Sequence, residues 1–156
     1  TEGHIDQSLF ARIILDEKNG PPPEVNLFNE KNNGESILNL IDKGYVKSAH
    51  DISLGGLLVA ISKMCIKGNK GIKINKSKNL MNEIEYFFAE DQGRYLIEVN
   101  KEDLKEVTKI LNKNSVHHEE LGIITQNDMI INEKTKVTID ELKSYYTSWL
   151  NNYMRK

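Results

Sequence analysis

Two short stretches of this 156-residue chain carry the residue types from which ligand chemistry is built. The first is Ala49-His50-Asp51-Ile52-Ser53-Leu54-Gly55-Gly56-Leu57. Read as a strand end, a tight loop and a helix start, it presents backbone N–H groups at the positive end of a helix dipole, a setting that attracts phosphate. Gly55 and Gly56 permit close approach of a ligand, Ser53 can donate a hydrogen bond, and Asp51 supplies the hard oxygen that Mg²⁺ prefers. The same residues also read as ordinary caps and turns, because Asp and Ser precede helices and Gly punctuates loops for purely local reasons. No Gly-Lys-Ser/Thr follows, so this is not a Walker loop.

The second stretch is Phe88-Ala89-Glu90-Asp91-Gln92-Gly93-Arg94-Tyr95. Its two carboxylates and one amide suit a metal or a polar substrate, and equally suit a solvated turn. Other titratable groups offer less. His117 and His118 are adjacent, so in a strand they point to opposite faces and cannot share one metal ion. His4 and His50 are isolated in sequence. The single cysteine, Cys65, excludes an intrachain disulfide and a Cys-rich zinc site, and it sits on an apolar helical face with no neighbour that would lower its pKa.

The elements that must position these groups follow from hydrophobic period. Leu9, Phe10, Ile13 and Ile14 predict a helix over 6–16 with Asp6 as its cap. Gly20-Pro21-Pro22-Pro23 then forms a stiff connector. A helix is expected over about 25–43, with Gly44 as its left-handed stop, and a strand over 45–52. Gly55-Gly56 opens a third helix whose buried face is Leu57, Leu58, Ile61, Met64 and Cys65. A strand over 71–75, a short helix over 82–90 and a strand over 94–99 come next. Asn100 is expected to cap a helix built on Leu104, Val107 and Leu111. Short strands are expected over 119–125, 128–132 and 134–138. Thr138-Ile139-Asp140-Glu141 is a capping box for a last helix striped with Leu142, Tyr145, Tyr146, Trp149, Leu150 and Tyr153. That stripe predicts a buried Trp149, with an interface to another domain as the other use of such a face.

Bulk properties bound the function. Formal net charge is −2, with 21 Lys and Arg against 23 Asp and Glu, so there is no basic surplus to neutralise a nucleic-acid backbone. The longest apolar run, Leu57 to Ile61, is far too short for a membrane span, and the first residues do not have the pattern of a signal peptide. The balance is that of a soluble domain with the cytoplasm as its default place. The start at Thr1 suggests a longer polypeptide, with residues 1–5 as the tail of a linker.

Taken together, the segments resemble one family. Ser48 to Ser53 with Gly55-Gly56-Leu57, and the run Phe-Ala-Glu-Asp-Gln-Gly-Arg-Tyr-Leu from Phe88 to Leu96, are similar to two segments in the C-terminal domain of phosphoribosylformylglycinamidine synthases. Gly20 to Pro23 and the closing Glu141 to Met154 fit that domain's start and end. The resemblance spans most of the chain. It implies the aminoimidazole-ribonucleotide-synthetase superfamily and an α/β (α+β) domain in which a mixed sheet is flanked by helices. It implies membership of an ATP-dependent carbon–nitrogen ligase of purine biosynthesis that uses Mg²⁺ and ammonia from a glutaminase partner. The family's catalytic histidine lies in another domain, so no catalytic residue is expected here and the chain alone should be inactive. Expected partners are the remaining synthase domains, the glutaminase and small accessory subunits.

The resemblance also implies residue roles. Asp51 matches a Mg²⁺ ligand of the corresponding first-half domain. Glu90, Asp91 and Gln92 match the turn of that domain that touches substrate, while Ser53, Gly55 and Gly56 are expected to bind phosphate on the loop's own N–H and hydroxyl donors. The sequence departs from the family's pattern at Leu54, where an acid is usual, and at Ala89, where Gly is usual, while Asp91 stands where the first-half domain has Ser. Losing the acid at 54 removes a possible cation contact. A non-catalytic docking module of the same enzyme, or a domain of aminoimidazole ribonucleotide synthetase or selenophosphate synthetase, are the competing readings. The Glu-Asp-Gln-Gly-Arg-Tyr run argues against those last two enzymes.

Overall fold

The computed structural model describes residues 1–75 and 81–155. The chain divides into two compact units, residues 1–60 with 80–119 and residues 61–79 with 120–156, and the boundary falls within one helix.

In the first unit, the antiparallel pair β1 (Val46–Ile52) and β3 (Arg94–Val99) is accompanied by α1 (Leu9–Ile14), α2 (Leu27–Asp42), α4 (Glu83–Phe88) and α5 (Leu104–Lys113). Directly opposed residues share a face of such a ladder, so Ala49 and Asp51 lie on the same face as Ile97 and Tyr95. The core cluster is Leu40 from α2 with Val107 and Leu111 from α5, against which Val46, Ile97 and Val99 of the two strands pack. Ser36 is buried beside it, and its hydroxyl accepts from the side-chain amide of Asn114 at 3.0 Å.

The second unit is a four-stranded mixed sheet in the order β4-β2-β5-β6, from β4 (Gly122–Thr125), β2 (Gly71–Ile74), β5 (Asp128–Ile131) and β6 (Thr135–Thr138). Among the described residues β2 and β5 run parallel and the other two pairings are antiparallel. The later turns of α3 (Gly56–Gly68) and the last helix α6 (Ile139–Met154) complete it. Ile61, Cys65, Ile74, Met129 and Ile139 are its buried apolar residues. No helix among the described residues is long and apolar enough to cross a membrane.

Several expectations shift for local reasons. The first helix starts at Leu9, not residue 6, because Gln7 is left-handed (φ 61°) and Ser8 takes the cap, accepting from the Ala11 N–H. Asp16, at φ 54°, lies beyond its end. Asn100 does not cap α5; its carbonyl and side-chain amide instead hold a turn through Asp103, and the helix begins at Leu104. The strand expected from 119 begins at Gly122, so His117 and His118 lie in a loop outside any strand. Gly44 holds φ +75°, as a helix stop requires, and the Thr138–Glu141 capping box is complete on both sides.

Cys65 is buried, and burial pushes its thiol up to about 11. The raised value favours the neutral thiol in the folded state. Its stabilising effect is therefore present below the ordinary thiol pKa and is lost as pH rises from there towards about 11. At pH 8.5 a disulfide reagent should label Cys65 about 100-fold more slowly in the folded chain than in urea, from thiolate fraction alone. Labelling within tenfold of the unfolded rate would show the thiol to be accessible and ordinary.

The largest departure is at the C-terminus. Trp149 is 66% exposed, contrary to the burial expected from its stripe. Among the described residues α6 is anchored near its start, by buried Ile139, by half-buried Leu142 and by the Lys143 ammonium donating to the Asn69 side chain. The stripe says that one face is apolar; it does not say what covers that face.

Candidate functional site

All the sequence-predicted site residues lie in the first unit, and the structure brings two of their three groups into direct contact. Asp51 is the next-to-last residue of β1, and Ser53 to Gly55 turn the chain into α3. The turn closes by the Gly56 N–H donating to the Ser53 carbonyl at 2.9 Å. Gly55 and Gly56 are both left-handed, at φ +86° and +67°. A Cβ on Gly56 would lie 2.7 Å from the backbone of Phe88 and 2.8 Å from the Ala89 carbonyl oxygen. The second glycine is therefore required by close approach of the neighbouring segment as well as by its backbone angle.

That segment ends α4 and supplies Glu90. One carboxylate oxygen of Glu90 accepts from the Gly55 N–H at 2.7 Å and from the Leu9 N–H at 2.8 Å. The N–H donor expected to meet a phosphate is thus met by a carboxylate of the same chain. A single side chain joins the entry to α3 with the first residue of α1. The acidic turn touches the glycine loop directly. Replacing Glu90 with alanine would leave two backbone donors without this acceptor and is expected to cost about 2–4 kcal/mol. Glu90→Gln, whose amide oxygen can still accept, should cost less. Urea unfolding midpoints of the two variants test this, and an alanine loss under about 1 kcal/mol would remove the junction role.

Asp91 is engaged differently. Its carboxylate accepts from the Thr1 hydroxyl, from the Glu2 N–H at 3.2 Å and from the His4 N–H at 3.1 Å, and lies 3.6 Å from the Arg94 guanidinium. Burial alone would push this carboxyl up. The Thr1 and His4 hydrogen bonds and the Arg94 charge outweigh burial and hold it below the usual carboxylate range. The Glu90 N–H donates back to the His4 carbonyl at 3.1 Å, so residues 1–4 are tied to this turn. Arg94 also donates to the Ala89 carbonyl, which closes the turn on itself. Ala89, where the resemblance leads one to expect Gly, is fully buried with room for its methyl group.

Asp51, Ser53 and Gln92 are exposed. Asp51 has His50 Nδ1 at 3.5 Å from its carboxylate. Among the described residues no group of three or more His, Cys, Asp or Glu comes together as a metal-ligand set. One exposed carboxylate fits the single protein contact that Mg²⁺ often takes alongside waters and phosphate oxygens, and no more than that. Leu54 stands 61% exposed beside it. Sequence reasoning missed the tie from Glu90 to Leu9 and the tie from Asp91 to residues 1–4. The partners are 81 and 87 or more residues apart, and nothing local marks them.

The model of the family described as "AIR synthase related protein, C-terminal domain" matches residues 7–132. Over 154 residues the chain is 64% identical to the phosphoribosylformylglycinamidine synthase subunit PurL of Pelagibacter ubique, covering 99% of this chain and 21% of that protein. The chain thus spans about a fifth of the length of the curated relatives it matches. The structure described as T. maritima PurL complexed with FGAR superposes with a TM-score of 0.71 at 21% identity, covering 85% of this chain and 24% of that one. The structure of PurLQS from Thermotoga maritima gives 0.67 at 20% identity, covering 88% and 24%. At that identity the two structures speak for the fold alone, and they agree with a mixed sheet flanked by helices.

Proposed function

The chain belongs to the family of AIR synthase related protein C-terminal domains, and from that premise we propose that it is the C-terminal domain of a phosphoribosylformylglycinamidine synthase. The observation that carries this reading is the 64% identity to a PurL subunit across 99% of the chain. The parent enzyme would convert formylglycinamide ribonucleotide to its amidine in the cytoplasm, using ATP, Mg²⁺ and ammonia released from glutamine by a partner. The structure named PurLQS from Thermotoga maritima supports a parent that works in a complex, and the glutaminase and small accessory subunit implied by the resemblance would be its partners. Residues 1–5 would be the end of the preceding linker, held by Asp91.

Within that enzyme this domain would contribute no catalytic group. Asp51 would offer one oxygen to Mg²⁺, Ser53 a hydroxyl to phosphate, and Gln92 an amide to substrate. Mg²⁺, when bound, would neutralise phosphate charge. Glu90, Gly55 and Gly56 would act by holding the loop in shape, and Asp91 by anchoring the start of the domain. A docking module with no ligand of its own is the second reading, favoured by the Glu90 carboxylate lying where a phosphate oxygen would sit on the Gly55 N–H.

The test is ADP release from MgATP with formylglycinamide ribonucleotide and ammonium. The parent polypeptide with its partners should turn over, and the 156-residue chain should not. A parent without turnover would overturn the synthase reading, and turnover by the chain alone would overturn its dependence on other domains. Titration of the parent with ADP and Mg²⁺ separates the two readings. Asp51→Asn weakening binding supports the ligand role, and unchanged binding leaves the docking module.

A further inference from the structure

The last helix carries a surface that nothing in its own unit explains. From residue 144 to 155 every position except Ser148 is exposed. Within this stretch Tyr145, Trp149 and Tyr153 form one row at four-residue spacing, and Tyr146, Leu150 and Met154 form the adjacent row. These six side chains are between 56% and 77% exposed, and Trp149 stacks on Tyr153 with ring centroids 5.4 Å apart. At roughly 200 Å² per large side chain, the face presents on the order of 800 Å² of mostly apolar surface. The largest apolar patch on an ordinary monomer is about 300–600 Å². A helix of about three turns with almost no packing is marginal in water, so this one needs a partner against its apolar face.

We infer that the Tyr145–Met154 face of α6 docks on the remainder of the parent polypeptide, as an interdomain interface made in cis. The inference rests on the reading of the chain as one segment of a longer protein. The chain spans 21% of a relative 64% identical to it, so about four-fifths of the polypeptide lies outside the structure. A tethered domain meets the face at an effective concentration on the order of millimolar, far above that of a free subunit. The area also fits an interface between domains of one chain, about 600–1,500 Å². The three tyrosine hydroxyls and the indole N–H around the apolar rows specify the chemistry of the occupant: an aliphatic patch with carbonyl or carboxylate acceptors at its edge.

Hydroxyl-radical footprinting of the full-length polypeptide, without accessory subunits, reads this directly. Trp149 and Tyr153 should oxidise at least about tenfold more slowly in the native protein than in the urea-unfolded chain, at every protein concentration. Rates within twofold of the unfolded chain, which is what two-thirds exposure predicts, would overturn the inference. Protection that vanishes on dilution would assign the face to a second copy instead, and protection that needs an added glutaminase would assign it to that subunit. Either result also overturns docking in cis. Turnover measured on a portion of that sample after its partner subunits, MgATP, formylglycinamide ribonucleotide and ammonium are added keeps the two claims apart: protection without turnover sinks the synthase reading alone, and turnover without protection sinks only the docking.

Discussion

Gly56→Ala is expected to destabilise the chain by about 3–5 kcal/mol, the sum of two separate penalties. The first is backbone strain. Gly56 sits at φ +67°, where a residue with a Cβ costs roughly 1–3 kcal/mol. The second is overlap, because the new methyl would lie 2.7 Å from the Phe88 backbone, and backbone cannot swing aside as a flexible side chain would. Relief requires α3 and the turn after α4 to separate, which would also stretch the hydrogen bond from Gly55 to Glu90. Gly68→Ala is the matched control. It lies at the end of the same helix, its Cβ would meet nothing within 4 Å, and its replacement should be neutral or slightly stabilising. Urea unfolding of both variants decides the matter. A Gly56→Ala loss below about 1 kcal/mol would mean that the two segments are not in contact.

Leu40→Ala should cost a comparable amount, about 3–5 kcal/mol. Leu40 is 0% exposed on α2 and centres the cluster with Val107 and Leu111. Truncation removes three buried carbons and leaves a void that the β1–β3 ladder on one side and α5 on the other are poorly able to fill. Leu38, two residues away and 61% exposed, supplies the contrast, and Leu38→Ala should change stability by less than about 1 kcal/mol. Equal losses at the two positions would place the core elsewhere.

The site was legible in part. The loop from Asp51 to Gly56 and the turn from Glu90 to Gln92 stood out because few residue types concentrate polar and glycine character beside apolar runs. What the pattern could not carry was the direction of each carboxylate. A phosphate oxygen and a Glu90 oxygen are interchangeable acceptors for the Gly55 N–H, so a glycine-rich helix start looks the same in sequence whether it receives a ligand or an internal side chain.

Local physics, acting within a few residues, was determined by the sequence alone. The capping box at Thr138, the left-handed stop at Gly44, the helical face of Leu57, Ile61 and Cys65, and the strand from Arg94 to Val99 all follow from spacing, and the structure has them. Only the tertiary structure decided which long-range partner each group takes. It gave Glu90 to Leu9 and Gly55, gave Asp91 to Thr1 and His4, and left Trp149 facing outward. The physical reason is that helical and strand periods record that a face is apolar or a donor unpaired, while the identity of the covering surface depends on segments 35 or more residues away or outside this chain altogether.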